Sequence, residues 1–244
     1  MRIVFWNIRA GGGVRVPAIG RRLGRWAPDL VALCEYRGSE PSARLAAALR
    51  EMGLPHQRTT VDPRRPTVNR LLVASRWPLV DLGGRYGPAP AGRWLLSGVA
   101  APAPFALGAM HIPNRVEGTK DRFQAGVLRL LRDWRHGPGL LLGDTNSGLP
   151  GIDEEAPAFG PREARWMAAL DRLGWADAFR RLHGGARAYT WYSPNGANGF
   201  RIDHAFANRD LSARVVTMRY DWGGPPGRRR GPSDHAAIVL DLEG

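Results

Sequence analysis

Short apolar runs closed by glycine, proline or a polar residue alternate along this chain with stretches whose apolar positions return every three or four residues. Strands and amphipathic helices are therefore expected to interleave. Residues 1–5 read as a buried strand that delivers Trp6 and Asn7 to its carboxyl end, ahead of Gly11-Gly12-Gly13. Val16, Ile19, Leu23 and Trp26 mark one face of a helix over 15–26 that Pro28 closes, and 29–34 read as a second buried strand ending at Glu35. A strand, helix, strand order implies a parallel pair, which brings Asn7 and Glu35 to one sheet edge. Ser39 and Pro41 start a helix that runs to residue 52.

Residues 55–69 are polar and rich in breakers and read as a surface loop before a strand over 71–74. Arg58, Arg64, Arg65 and Arg70, within that loop or just after it, either grip phosphate or are simply solvated. A second loop, 83–92, leads to strands over 94–99 and 105–110, an antiparallel pair joined by a proline-rich turn, with His111 at its end. Thr119 is placed to cap a helix running to residue 134, with Phe123, Val127, Leu130, Leu131 and Trp134 on its apolar face.

Leu140-Leu141-Leu142 reads as a buried strand that presents Gly143-Asp144-Thr145-Asn146 at its carboxyl end, where open α/β sheets bind ligands. Helices over 162–173 and about 175–182 follow. Strand segments are then expected over 189–192, 202–207, 215–219 and 236–242, the last two joined by an arginine-rich loop over 223–231. This order predicts an α/β fold with two mixed sheets packed together and helices outside. No composition break or repeat divides the 244 residues, so one domain is expected over 1–244.

Charge and cysteine usage narrow the chemistry. The formal net charge is +13 and Lys120 is the single lysine, so the excess is almost wholly arginine. Such a charge favours polyanionic partners through counterion release, although arginine preference also follows genome base composition. Cys34 is the single cysteine, which excludes an intramolecular disulfide and a thiolate metal cluster. No apolar leader or bilayer-length segment is evident, and a cytoplasmic protein is the default expectation, as is a monomer.

Eight polar residues fall at predicted strand ends: Asn7, Glu35, His111, Asp144, Asn146, Asp203, Asp234 and His235. Each alone has an ordinary structural explanation, as a turn former or a hydrogen-bonded core group. Together, carboxylates and amides without a cysteine suit a hard divalent cation, Mg²⁺ or Mn²⁺, bound through one or two carboxylates plus substrate phosphate.

The segments Phe5-Trp6-Asn7, Leu33-Cys34-Glu35, Leu72 to Arg76, Gly143 to Asn146, Tyr189-Thr190-Trp191, Arg201-Ile202-Asp203 and Ser233-Asp234-His235 resemble, in order, the motifs of the endonuclease/exonuclease/phosphatase family. The family includes exonuclease III-type and DNase I-like metal-dependent phosphoesterases. The resemblance spans nearly the whole chain and implies a four-layer α/β sandwich that hydrolyses a phosphoester with a divalent metal. Carried over by motif, Glu35 holds the metal with Asn7 and Asp234 assisting. Asp144 and Asn146 orient and activate water, or Asp144 protonates the leaving oxygen. His235, oriented by Asp203, contacts the phosphate. Asn69, Arg70, Trp191 and Arg201 are the expected substrate-binding residues.

Departures from the family pattern bear on substrate. Thr145 and Cys34 replace commoner residues without removing a catalytic group. His111 stands where exonuclease III-like enzymes use a tyrosine and DNase I-like enzymes a histidine. Its ordinary pKa near 6.5 would suit a general acid, and Asn69 takes the place of that histidine's carboxylate partner. Conversely, the segments 189–192 and 200–203 resemble the exonuclease III branch, with Trp191 either stacking on a base or belonging to the core. Arg228, Arg229 and Arg230 either clamp a flanking phosphate or are solvated.

The leading expectation is a metal-dependent phosphodiesterase that cuts nucleic acid, DNA first. The alternative is a phosphatase or phosphodiesterase acting on a small nucleotide, phosphoinositide or other phosphorylated metabolite. A minor alternative is a nucleic-acid-binding module without catalysis.

Overall fold

The computed structural model describes residues 1–83, 87–194, 198–224 and 231–243. In chain order the elements are β1 (Arg2–Asn7), α1 (Val16–Trp26), β2 (Leu30–Tyr36), α2 (Glu40–Glu51), β3 (His56–Thr59), β4 (Arg70–Ser75), β5 (Leu79–Asp81), β6 (Trp94–Val99) and β7 (Phe105–His111). There follow α3 (Lys120–Arg132), β8 (Gly139–Asp144), α4 (Pro161–Arg172), β9 (Trp175–Asp177), α5 (Ala178–His183), β10 (Trp191–Tyr192), β11 (Gly199–Phe200), β12 (Asp203–Asn208), α6 (Arg209–Ser212), β13 (Val215–Asp221) and β14 (Ala237–Leu242).

One six-stranded sheet has the order β13-β14-β1-β2-β4-β3 and the other β5-β6-β7-β8-β12-β9, with β10 and β11 forming a separate ribbon. Each sheet contains one parallel pair, β1 with β2 and β7 with β8, flanked by antiparallel neighbours. Alternation along the strands divides the apolar residues. Ile3, Phe5, Ala32 and Val73 meet Leu107, Ala109, Leu140, Leu142 and Ala205 between the sheets. Val4, Trp6, Val31 and Leu33 face outward to Ile19 and Leu23 of α1 and Leu45 and Leu49 of α2. Leu96, Met110, Leu141 and Phe206 face outward to Phe123 and Val127 of α3 and Trp166 and Leu170 of α4. These layers form the helix, sheet, sheet, helix sandwich expected from the sequence.

The same two-residue period positions the site. Continuing the inward sets by one step reaches Asn7 on β1, His111 on β7, Asp144 on β8 and Asp203 on β12. Polar groups therefore replace apolar ones where the inter-sheet core opens at one end. His111 and Asp203 both pair with Asp144 in register.

Local expectations differ from the structure in several places. Residues 55–69 are not wholly loop, because His56–Thr59 pair along β4 and close that edge of the sheet. This edge strand lacks apolar alternation since it is held by backbone pairing and by Gln57, whose Nε2 donates to the Ala46 carbonyl at 2.8 Å. The segment after Trp175 splits into β9 and α5, with Asp177 capping α5 through the Arg180 backbone N–H at 3.1 Å. Thr119 makes no side-chain cap to α3. Arg228, Arg229 and Arg230 lie outside the described residues.

Candidate active site

At the polar end of the inter-sheet core lies a cleft of about 290 Å³. Glu35, His111, Asp144, Asn146, Asp234 and His235 line it, together with Asn69, Arg93, Asn114, Glu117, Trp191 and Ile202. Two of these residues adopt left-handed backbone conformations. Glu35 has φ 57° at a register shift between Cys34 and Tyr36, and Asn146 has φ 47°. In a regular strand Glu35 would follow the inward Cys34 and face α1 and α2; the bulge re-aims it toward the cleft.

The floor is a hydrogen-bonded cluster drawn from both sheets. Asn7 Nδ2 donates to Asp144 Oδ2 at 3.1 Å and to Glu35 Oε1 at 3.4 Å, so one amide ties the two sheets together. The Ala10 backbone N–H donates to Glu35 Oε2 at 2.7 Å. His235 Nδ1 and Asp203 Oδ2 are 2.9 Å apart, and His235 Nε2 lies 4.0 Å from Asp144 Oδ2. His111 Nε2 approaches the same Asp144 oxygen at 3.8 Å. Asp144 Oδ1 accepts the Asn146 backbone N–H at 3.0 Å, and Asn146 Nδ2 donates to the Ile112 carbonyl at 2.8 Å.

Behind this cluster, distant segments lock the pair formed by Asp203 and His235. Trp6 Nε1 donates to the His235 carbonyl at 2.8 Å, and Ser233 Oγ donates to the Asn7 carbonyl at 2.6 Å. Thr190 Oγ1 accepts the backbone N–H groups of Ile202 and Asp203 at 3.1 and 3.2 Å. Trp191 bridges by backbone to His235 and its ring centroid lies 6.3 Å from the imidazole. The half-buried Trp191 stands at the cleft wall and is not a core residue.

Burial and close charges separate the titrations. Asp144 is raised to about 7 by burial and by the neighbouring Asp203 charge, against the pull of His235 and two hydrogen bonds. Burial lowers His235, but Asp203, with Asp144 and Asp234, outweighs it and lifts the imidazole to about 9. His111 is pushed down to about 3 by burial, with the Arg93 and His235 charges adding. The ordinary imidazole value anticipated for His111 therefore does not hold. At neutral pH its ring is uncharged and offers one N–H and one lone pair.

Not every expected substrate residue reaches the cleft. Arg201 is fully buried, with Nε and Nη2 on the two oxygens of Asp153 at 2.7 and 2.9 Å and Nη2 also on Asp177 at 2.7 Å. Its donors are consumed inside the protein, so the expectation that Arg201 binds substrate is corrected to a structural ion-pair role. Arg70 lies against the turn at Gly92, where a Cβ would fall 1.9 Å from Arg70 Nη1, and does not line the cleft. Asn69 does line it, with Oδ1 accepting Arg37 Nε at 2.6 Å. Arg93 was not anticipated. Its Nη2 is held by both Glu117 oxygens at 2.9 Å, while Nη1 is buried without a partner among the described residues. Sequence pattern offered no sign of this, since Arg93 is one arginine among many in a breaker-rich segment.

The donor chemistry fits a divalent cation. Glu35, Asp144 and Asp234 present carboxylates to one cleft with the Asn7 amide beneath. Asp144, Asp203 and His235 also form a buried group whose ligand atoms lie within 4.8 Å of one another, and Asp203 Oδ1 is buried without a partner among the described residues. Crowded carboxylates of this kind are what a hard cation relieves.

A family profile for the endonuclease/exonuclease/phosphatase family matches residues 4–235. The chain belongs to that family. Among solved structures it is similar to a 3′-5′ exonuclease, NExo, from Neisseria meningitidis, at 26% identity and a TM-score of 0.83, with 100% of both chains covered. A second structure, described as the 3′ phosphatase NExo (D146N) from Neisseria bound to a product DNA hairpin, gives 26% identity and a TM-score of 0.81 over 100% of both chains. An AP endonuclease from Archaeoglobus fulgidus, 20% identical with a TM-score of 0.79 over 100% of both chains, shares the fold. No curated protein matches the chain in sequence. Membership in the family makes it a phosphoesterase of the nuclease and phosphatase group, and its two sheets form the DNase I-like sandwich. No helix among the described residues is long and apolar enough to cross a membrane.

Proposed function

We propose that this protein is a divalent-metal-dependent phosphoesterase acting on DNA, hydrolysing a phosphate ester by in-line attack of water. The observation that carries this reading is the convergence of Asn7, Asp144 and the pair formed by Asp203 and His235 on one cleft. Two similar structures are those of a 3′-5′ exonuclease and of a 3′ phosphatase bound to a product DNA hairpin, which favours a DNA terminus as substrate.

In this mechanism Asp144 takes the proton of the attacking water as its carboxylate, and Asn146 orients that water. The Asn7 N–H holds the Asp144 oxygen at 3.1 Å and so fixes the direction of attack. His235, kept cationic by Asp203, donates from Nε2 to a phosphate oxygen and offsets the charge that builds there. The neutral His111 contributes a further hydrogen bond to the phosphate or to the departing oxygen. Trp191 supplies a flat wall for a nucleobase. Glu35, with Asn7 and Asp234, would hold Mg²⁺ or Mn²⁺, which when bound neutralises phosphate charge as a Lewis acid.

The deciding experiment compares duplexes bearing a 3′-hydroxyl, a 3′-phosphate or an abasic site, together with single-stranded DNA and RNA, in Mg²⁺ or EDTA. Asp144→Asn serves as the control variant and is expected to lose at least about a hundredfold in rate, the scale of one preorganised group. Equal rates in wild type and variant would overturn the assignment.

The cleft volume of about 290 Å³ favours a second reading, a small phosphorylated metabolite. A polymer substrate should lose affinity steeply as salt rises and a small one much less, which separates the two.

A further inference from the structure

Lys120 is the single lysine among 35 basic residues, in a chain that uses arginine at every other such position. It lies at the first turn of α3 and is only 6% exposed, so it is not the surface cation that composition alone suggests. Its Nζ donates to the Asn146 carbonyl at 2.6 Å and to Glu163 Oε1 at 3.1 Å. A compact ammonium fits between a carbonyl and a carboxylate at these distances, whereas a planar guanidinium carries its donors on a wider fork.

The contact matters because of where Asn146 stands. Its left-handed backbone, its N–H on Asp144 and its Nδ2 on the Ile112 carbonyl leave Oδ1 without a partner among the described residues, at the cleft wall. A non-glycine residue in this conformation needs surrounding contacts to hold it. Glu163, on the outer helix α4, is itself fixed by the Gly160 backbone N–H at 3.1 Å and by Arg115, whose Nη2 meets both carboxylate oxygens at 2.7 Å. Arg115 begins the rim turn whose Glu117 holds Arg93. One carboxylate in the outer layer thus secures both the Asn146 turn and the cleft rim.

We infer that Lys120 is a positioning residue that, anchored by Glu163, holds the Asn146 turn in its left-handed form and so aims the Asn146 side chain at the attacking water. This rests on the phosphoesterase reading of the cleft. The test is steady-state kinetics of Lys120→Met and Lys120→Gln, each alone and combined with Asn146→Ala, on the DNA substrate found for the wild type. Lys120→Met is expected to lower kcat by at least about tenfold with KM changed less than about threefold, and Lys120→Gln, which keeps a donor, to recover part of that loss. In the Asn146→Ala background Lys120→Met should cost less than about twofold, because both act through one group. Wild-type rates in Lys120→Met, or an equal loss in both backgrounds, would overturn the inference.

A second readout does not depend on turnover. In ¹⁵N spectra the Asn146 side-chain amide, identified by its loss in Asn146→Asp, should shift in Lys120→Gln, and an unmoved signal would overturn the positioning role even if Lys120→Met does not fold. Should the wild type hydrolyse no phosphoester, the phosphoesterase reading fails while this signal still decides whether Lys120 sets the turn.

Discussion

Replacing Arg201 by methionine separates a structural ion-pair residue from a substrate-binding one. The guanidinium is wholly buried between Asp153 and Asp177, and it also donates to the Tyr220 hydroxyl, which in turn donates to the Asp203 carbonyl at 3.0 Å. Methionine matches the apolar stem but leaves two buried carboxylates short of their cation. Arg180 still pairs with Asp153 and His204 Nδ1 still lies 3.1 Å from Asp177, so compensation is partial. Breaking a buried pair from one side costs about 3–5 kcal/mol. For a chain of this size that corresponds to a fall of roughly 6–20 °C in Tm.

The pH dependence of that loss follows from the same charges. Despite burial, Arg201 holds Asp153 and Asp177 below the ordinary carboxylate range. A depressed folded value contributes stability above the ordinary range that disappears as pH falls through the folded value. The difference between wild type and Arg201→Met should therefore be largest near neutrality and shrink below about pH 4. Urea unfolding from pH 7 down to pH 3, with KM measured on folded variant at low temperature, tests both parts. A variant with unchanged stability but a KM raised at least about tenfold would refute the buried-pair argument and return Arg201 to the substrate.

Three further outcomes are expected. Gly143→Ala would place a Cβ 2.3 Å from Met110 Cγ and 2.6 Å from the Met110 carbonyl oxygen. Because that backbone cannot yield cheaply, unfolding should show a loss of about 1–3 kcal/mol, and displacement of the adjacent Asp144 should lower kcat. Trp191→Ala removes a stacking surface worth about 1–3 kcal/mol, so KM for DNA should rise roughly 5- to 150-fold while hydrolysis of a generic aryl phosphodiester is little changed. Equal effects on both substrates would remove Trp191 from base binding. Chelation by EDTA should abolish hydrolysis and added Mg²⁺ or Mn²⁺ restore it, and Glu35→Gln should raise the metal concentration for half-maximal rate by about tenfold or more. Turnover that survives exhaustive chelation would refute the metal requirement.

The order of strands and helices and the polar residues at the ends of β1, β2, β7, β8 and β12 were legible in the chain itself. Periodicity and breakers act over a few residues, and a two-residue alternation carried one step past an apolar run names Asn7, His111 and Asp144 directly. Packing across long separations decided the rest. Asp203 and His235 meet only because two sheets are superposed, and the His111 titration falls because the ring is buried near Arg93. Arg201 and Lys120 reverse the reading that composition suggests for basic residues, since both are buried in the fold and one supports the Asn146 turn. Strand β3 escaped the pattern because backbone pairing along β4, which leaves no apolar period, holds it in place. A residue's type limits what chemistry it can perform; which partners remain to satisfy its charge is a property of the folded chain alone.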